Sequence, residues 1–344
     1  MALVCRLLCL GFPSLLLLAF LVGCGPGLRS AAGQGARLRV LGTVQDGGLP
    51  HAGCACDRCE MARRDSRCRR WISSLALLLP DGDGHEQVFL IDVSPDIREQ
   101  LDMLRDVPRS PENAVRGGLD GVFLTHAHIG HYLGLAFFGF EAMNTKGLPV
   151  YSTPRMAEFL KANGPWSQLV RLNNIDLREL APGNAVSLPF AGDRERVSVK
   201  PIRVPHREEY SDAVGYVIRR ERTLDRAAAA GAHTVFYVPD TEPWRTWEPS
   251  LVETIDRESV DLILVDGTFY SNAELPGRSV ASIGHPLMTD SMELLEPLVR
   301  ARRLEVYFTH LNHSNPVLEP GGAEAREVGV RGFQVAKEGM EIRL

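Results

Sequence analysis

Along residues 37–344, short β-branched runs repeatedly lead into a residue that can hold a metal or move a proton. The runs at 88–93, 121–125, 197–204, 234–239, 262–266 and 306–309 carry or precede Asp92, His126, His206, Asp240, Asp266 and His310. Short apolar runs bounded by polar turns read as buried strands. Ligand sites in layered α/β folds are built from loops beyond strand ends, so the recurrence predicts a fold in which these ends meet. Further strands are expected at 38–44, 74–79, 150–153 and 214–219. Helices are expected after Ser94-Pro95, around Arg155 and after Thr289, each with a cap or an N1 proline. No Pro/Gly/Ser-rich linker divides 37–344, which therefore reads as a single α/β domain.

Hydrophobic residues make up 44% of the chain, ample for a core of that size. The formal charge is −5 and no basic run is long enough to follow a phosphate backbone, so nucleic-acid binding is not expected. The N-terminus has one Arg, Arg6, followed by a Leu-rich stretch broken by Pro13, which reads as a signal peptide over 1–23. Leu21-Val22-Gly23-Cys24 resembles the lipobox of bacterial lipoproteins, which would lipidate Cys24; cleavage near Ala31-Ala32-Gly33 is the alternative. Residues 24–36 read as a flexible tether. The expected product is exported, periplasmic or envelope-anchored, and touches a membrane only through a lipid anchor.

The stretch LTHAHIGHYLGL, 124–135, places His126, His128 and His131 just past an apolar run. Side chains at i and i+2 share a direction only in extended or loop structure, so His126 and His128 read as a loop ligand pair. Imidazoles suit zinc and also iron or manganese, so ligand type leaves the metal open. A second cluster, Cys54, Cys56 and Cys59, places three thiols within six residues. Three thiolates favour a structural zinc, with His313 as candidate fourth ligand; a Cys56–Cys59 disulfide is the alternative. Cys68 reads as a quiet thiol. His285, in a Gly-His-Pro loop, is a candidate for substrate contact or proton transfer, or else caps the helix after Thr289. Asp266 either supports a ligand histidine or forms a turn. Arg207 and Tyr210 could meet an anionic substrate or a solvated loop. His51, His85 and His233 read as surface residues, and the basic run at 63–70 as a solvated helix face.

These clusters resemble the metallo-β-lactamase fold superfamily, whose signature is H-x-H-x-D-H after a buried strand. The resemblance implies an αββα sandwich with a metal site at one edge. It implies a first metal on His126, His128 and His206, a second on His131 and His310, and Asp240 as the bridge, with Asp92 supporting the site. Gly130 stands where the signature has Asp. The second position is therefore expected to lack one oxygen and bind weakly, and Gly130→Asp is expected to strengthen it. The Cys triplet with His313 resembles the cyclic-phosphate phosphodiesterase of phosphonate metabolism. The phrases VSPDIREQL, LPVYSTP, VPHREEYSDAVGY, LILVDGTFY and YFTHLNHSNPVL resemble the coenzyme PQQ synthesis protein B family. The paired His126 and His128 and the export signal depart from that family's pattern.

The resemblance implies a metal-dependent hydrolase of a phosphodiester or other ester or acyl bond. Zinc would be structural at the cysteines and catalytic at the histidines, with iron or manganese as alternatives at the latter. Asp240 would orient the nucleophile, and His131, His310 or His285 would assist the leaving group. An iron-dependent oxidoreductase linked to PQQ biosynthesis or transport is the second reading. A non-enzymatic metal- or cofactor-binding envelope protein is the third. The substrate would be a small molecule, and a homodimer is left open.

Overall fold

Central strands that are buried on both faces dictate two sheets packed on one another and covered outside by helices. In a computed structural model, the described residues are 35–191, 195–221, 234–274, 277 and 284–344. The segment read as a signal peptide, Cys24, most of the stretch read as a tether and His233 lie outside them. The first sheet contains β1 (Arg37–Gly42), β2 (Ser74–Pro80), β3 (Glu86–Ile91), β4 (Gly121–Phe123), β5 (Leu148–Ser152) and β6 (Ile175–Glu179). The second contains β7 (Val186–Phe190), β8 (Glu195–Arg203), β9 (Val214–Arg220), β10 (Thr234–Val238), β11 (Leu262–Asp266), β12 (Glu305–Thr309) and β13 (Gln334–Val335). A last strand, β14 (Glu341–Arg343), returns to the outer edge of β1. The orders are β14-β1-β2-β3-β4-β5-β6 and β7-β8-β9-β10-β11-β12-β13.

One face of each sheet packs on the other through Leu75, Leu77, Phe89 and Ile91 against Val199, Tyr216, Ile218 and Leu264. The outer face of the first sheet is covered by α2 (Ile97–Asp102), α3 (Ile129–Tyr132), α4 (Pro154–Ala162) and α5 (Trp166–Arg171). That of the second is covered by α1 (Asp57–Arg64), α6 (Leu251–Glu258), α7 (Met288–Arg300) and α8 (Ala323–Val330). The result is the four-layer αββα sandwich. Each large side chain buried in these layers contributes roughly 1.5–3 kcal/mol relative to exposure. Helix starts follow local chemistry: Thr153 accepts from the Met156 amide with Pro154 at the first position, and Ser250 with Glu253 forms a capping box.

Four strands were not expected from sequence. β6 and β14 are half-exposed and carry charges, so the buried-run criterion passes over them, and β13 is only two residues long. β7 contains Pro189, which an edge strand tolerates and a central one does not. The first strand also ends early. Its continuation through Val44 leaves the ladder and makes single bridges to Ile72 and to Leu311.

Register brings the chemistry-bearing ends together. β10, β11 and β12 run parallel, with Val238 beside Val265 and Asp266 beside Thr309. Asp240, Asp266 and His310 therefore emerge at one edge. β3 and β4 run parallel with Ile91 beside Phe123, so Asp92 and the segment leading to His126 leave together. Asp92 and His310 both have left-handed backbones, φ 64° and 59°. Such conformations cost non-glycine residues of order 1–3 kcal/mol and concentrate at functional sites.

Glu338 clamps this edge from the C-terminal side. Its carboxylate accepts from the Trp71 amide at 2.6 Å, and burial pushes its pKa up to about 7. Because the folded value lies above the ordinary one, its contribution to stability is present below about pH 4.5 and lost as pH rises through about 7. Glu338→Gln is expected to flatten that part of the profile in urea unfolding between pH 5 and 8. Parallel profiles for the two proteins would contradict it.

Candidate metal centre

Three histidines are aimed inward by hydrogen bonds on their outer nitrogens. The His131 Nδ1–H donates to Asp92 Oδ2 at 2.7 Å. The His126 Nδ1–H donates to the Thr125 hydroxyl at 3.0 Å, and that hydroxyl donates to Asp92 at 2.9 Å. The same relay recurs on the other sheet. The His310 Nδ1–H donates to the Thr268 hydroxyl at 3.0 Å, which donates to Asp266 Oδ1 at 2.7 Å. In each case the lone pair is left on Nε2. His128 is oriented the other way round, its Nε2 meeting Glu209 Oε2 at 3.2 Å, so Nδ1 faces inward. Fixing the tautomer from outside is what ligand histidines require.

The inward atoms converge on Asp240. Its Oδ2 lies 3.4 Å from His126 Nε2, 3.9 Å from His128 Nδ1 and 3.2 Å from His206 Nε2. It also lies 3.8 Å from both His131 Nε2 and His310 Nε2. His126, His131 and His310 Nε2 are buried with no hydrogen-bond partner, as is Asp240 Oδ1. Buried lone pairs that face one another without a donor are satisfied by a cation. His126, His128, His206 and Asp240 offer ligand atoms that all lie within 4.8 Å of one another. The donor set, imidazoles with one carboxylate, fits zinc, iron or manganese.

Electrostatics agree with this reading. Burial and the neighbouring His131 push the His126 pKa well below its usual range, so the ring is neutral and able to ligate. Burial opposes charge on His131, but Asp92, Asp46 and Asp240 outweigh it and raise its pKa to about 9. A metal held at His131 Nε2 would take the place of that proton. Burial likewise opposes charge on Asp240, yet the surrounding His206, His310 and His285 hold its carboxyl well below the usual range.

His285 joins the centre from its solvent side, with 20% of its side chain exposed. Its Nδ1 lies 2.9 Å from Asp266 Oδ2 and 3.3 Å from Asp240 Oδ1. Despite burial, Asp266 and Asp240 raise its pKa to about 9. Asp266 also accepts the amides of Thr268 at 2.8 Å and Thr241 at 3.1 Å, which ties two loops to the site. Arg207 turns to Glu209 at 3.1 Å, and Tyr210 lies exposed beside the Phe159 ring.

Cys54, Cys56, Cys59 and His313 place one ligand atom each within 4.8 Å of the others. Cys54 Sγ is 3.5 Å from His313 Nε2, and His313 Nδ1 is held by Asn312 Oδ1 at 3.1 Å. The thiols are free, so the Cys56–Cys59 disulfide is not formed. Three sulfurs and one imidazole suit a tetrahedral structural zinc. Cys68 is also free and packs against the core under the second sheet.

Sequence reasoning missed Thr125, Thr268 and Glu209, which act through other residues. It also missed Asp46, whose Oδ1 lies 3.5 Å from His131 Nε2 and 3.8 Å from His310 Nε2. Asp46 follows the end of the first strand run, and that position was the available signal. The expectation that a carboxylate at residue 130 would complete the site needs correction. A Cβ built on Gly130 would lie 2.1 Å from Asp46 Oδ1, so that space is already filled.

Comparison with known proteins gives this arrangement its family. A profile described as Beta-lactamase superfamily domain matches residues 87–311, about two thirds of the chain. The chain belongs to that superfamily. Within it, the chain belongs to the coenzyme PQQ synthesis protein B family. It is 31% identical over 326 residues to the Cupriavidus necator protein of that name, covering 89% of this chain and 99% of that one. The Rhizobium meliloti protein is 29% identical over 319 residues, covering 90% and 98%. Among solved structures, Zn(2+)-bound PqqB from Methylobacterium extorquens superposes with a TM-score of 0.68 at 23% identity, covering 90% of this chain and 100% of that chain. A diphosphatase from the PhnP family superposes at 0.56 with 21% identity, covering 90% and 97%. Both share the fold.

Asp92 carries the tautomer of His131 and, through Thr125, that of His126. Asp92→Asn is therefore expected to weaken metal binding at the histidine centre by roughly 10–100-fold. Competition with a chelator reads the affinity, and an unchanged value would contradict the relay.

Proposed function

We propose that the chain is a metal-dependent hydrolase that cleaves a phosphodiester or other ester or acyl bond in a small-molecule substrate. The observation that carries this reading is the single carboxylate oxygen of Asp240 set among five inward-facing imidazoles. Zinc, iron or manganese bound there supplies Lewis acidity and an acidified water.

The residues do the rest. His126, His128 and His206 hold one side of the centre, and Asp240 accepts a hydrogen bond from the attacking water and orients it. His285 is the proton donor. It is partly exposed, its Nδ1 is held by Asp266, and its raised pKa keeps it protonated at neutral pH. Its remaining nitrogen is therefore available to the leaving oxygen. Exposed Ile129, next to His128, suits an apolar part of the substrate.

The family relationship favours a second reading. The relatives named for coenzyme PQQ synthesis match over nearly their whole length, and an iron-loaded oxidative role in that chemistry would use the same ligands.

Metal-loaded protein is expected to hydrolyse bis(p-nitrophenyl) phosphate or an activated ester, and His126→Ala to abolish turnover. His285→Gln is expected to spare activated substrates and to slow poor leaving groups. Turnover no greater than that of the His126→Ala control, with metal bound, would overturn the hydrolase. Oxygen consumption by the iron-loaded protein would then support the second reading.

A further inference from the structure

Gly130 and Asp46 are a matched pair. An ideal Cβ on Gly130 falls 2.1 Å from Asp46 Oδ1, 2.8 Å from its Cγ and 3.0 Å from its Cα. Any side chain at 130 therefore requires the Asp46 carboxylate to leave its place and the Asp46 backbone to give by a few tenths of an ångström. A side chain at 130 and the carboxylate of Asp46 in this position compete for one space.

Asp46 reaches this place by a built route. After β1 the backbone crosses to the second sheet: the Leu311 amide donates to Thr43 O at 2.9 Å, and the Gln45 amide donates to Leu311 O at 3.0 Å. Asp46 is thereby set beside His310, the residue before Leu311. The Gln45 side chain donates to Asn312 Oδ1 at 3.0 Å, the same oxygen that meets His313 of the Cys cluster. A turn closes behind it, with the Gly48 amide donating to Gln45 O at 2.9 Å.

Its carboxylate is then left facing two imidazoles. Asp46 Oδ1, His131 Nε2 and His310 Nε2 are all buried and all lack a hydrogen-bond partner. The three atoms lie within 4.8 Å of one another. Both nitrogens also lie 3.8 Å from Asp240 Oδ2, the atom shared with the first position. An oxygen, two imidazole nitrogens and a bridging carboxylate form a complete donor set for a divalent ion.

We propose that Asp46 is the carboxylate ligand of a second metal at this centre, bound with His131 and His310 and bridged by Asp240. The acid that the H-x-H-x-D-H pattern places at residue 130 is supplied here from the loop after β1. Gly130 is what admits it. The assignment rests on the metal centre of the proposed function but not on hydrolysis, and its test reads metal instead of turnover.

The experiment measures zinc per full-length chain after loading with Zn2+ and removal of loosely held ions. Wild type is expected to retain three ions, one at the cysteines and two at the histidines. Asp46→Asn is expected to lose one. Gly130→Ala is expected to lose one as well, since its methyl takes the space of Asp46 Oδ1 and brings no ligand of its own. Loading Asp46→Cys with Co2+ is expected to add thiolate-to-cobalt charge-transfer absorption beyond that of the Cys54–Cys56–Cys59 site. This readout stands even if Asp46→Asn folds poorly. Three ions retained by Asp46→Asn, three ions retained by Gly130→Ala, or no added absorption in Asp46→Cys would each overturn the assignment. If wild type retained only the cysteine-bound ion, the metal-centre reading would fall with it. Loss confined to the Asp46 and Gly130 arms leaves the His126–His128–His206 position intact.

Discussion

A buried carboxylate within reach of five imidazoles is the constraint around which this edge of the sandwich is organised. Asp240 is almost wholly removed from water, and its Oδ2 sits 3.2–3.9 Å from nitrogens of His126, His128, His131, His206 and His310. An isolated buried charge is costly, and so is a cluster of lone pairs without donors. The centre is therefore stable only as a charged ensemble, with protons or metal ions between its groups. His131, pushed up to about 9 against burial by Asp92, Asp46 and Asp240, shows the cluster drawing in positive charge.

The surrounding fold serves that constraint from both sheets. Parallel β3 and β4 deliver Asp92 and Thr125, and parallel β11 and β12 deliver Asp266 and His310. On each side a buried aspartate accepts from a threonine hydroxyl, which in turn accepts from a ligand histidine. Asp92 and His310, whose backbones are left-handed, sit in these two arms. Strain at both points is tolerated because the sheet register and the hydrogen bonds over-determine their positions. The Cys cluster joins the same edge through Asn312 and His313, so the loop that carries Asp46 is held at both ends.

Much of this was legible in the chain because ligands sit where apolar runs stop. Asp92, His126, His206, Asp240, Asp266 and His310 each follow or close a buried strand, and strand burial is written locally in side-chain type. The Cys triplet was legible from spacing alone. Other parts were not. Thr125 and Thr268 are ordinary residues whose role depends on the third dimension. Edge strands β6, β7 and β14 carry charges or proline and lack the apolar run that marks the central ones. The largest miss was at Gly130. Read by position, it is a missing ligand. In space it is the vacancy that Asp46 enters from a loop 84 positions earlier, a pairing no local pattern encodes.

The central claim is that two metal positions share Asp240, one among His126, His128 and His206 and the other among Asp46, His131 and His310. Anomalous scattering from crystals of zinc-loaded protein, recorded on either side of the zinc edge, tests it most directly. The account predicts a peak at the cysteines and two at the histidine centre, about 3.5–4 Å apart as in other two-metal sites. A single peak at the histidine centre, with no density between Asp46 and His310, would contradict it.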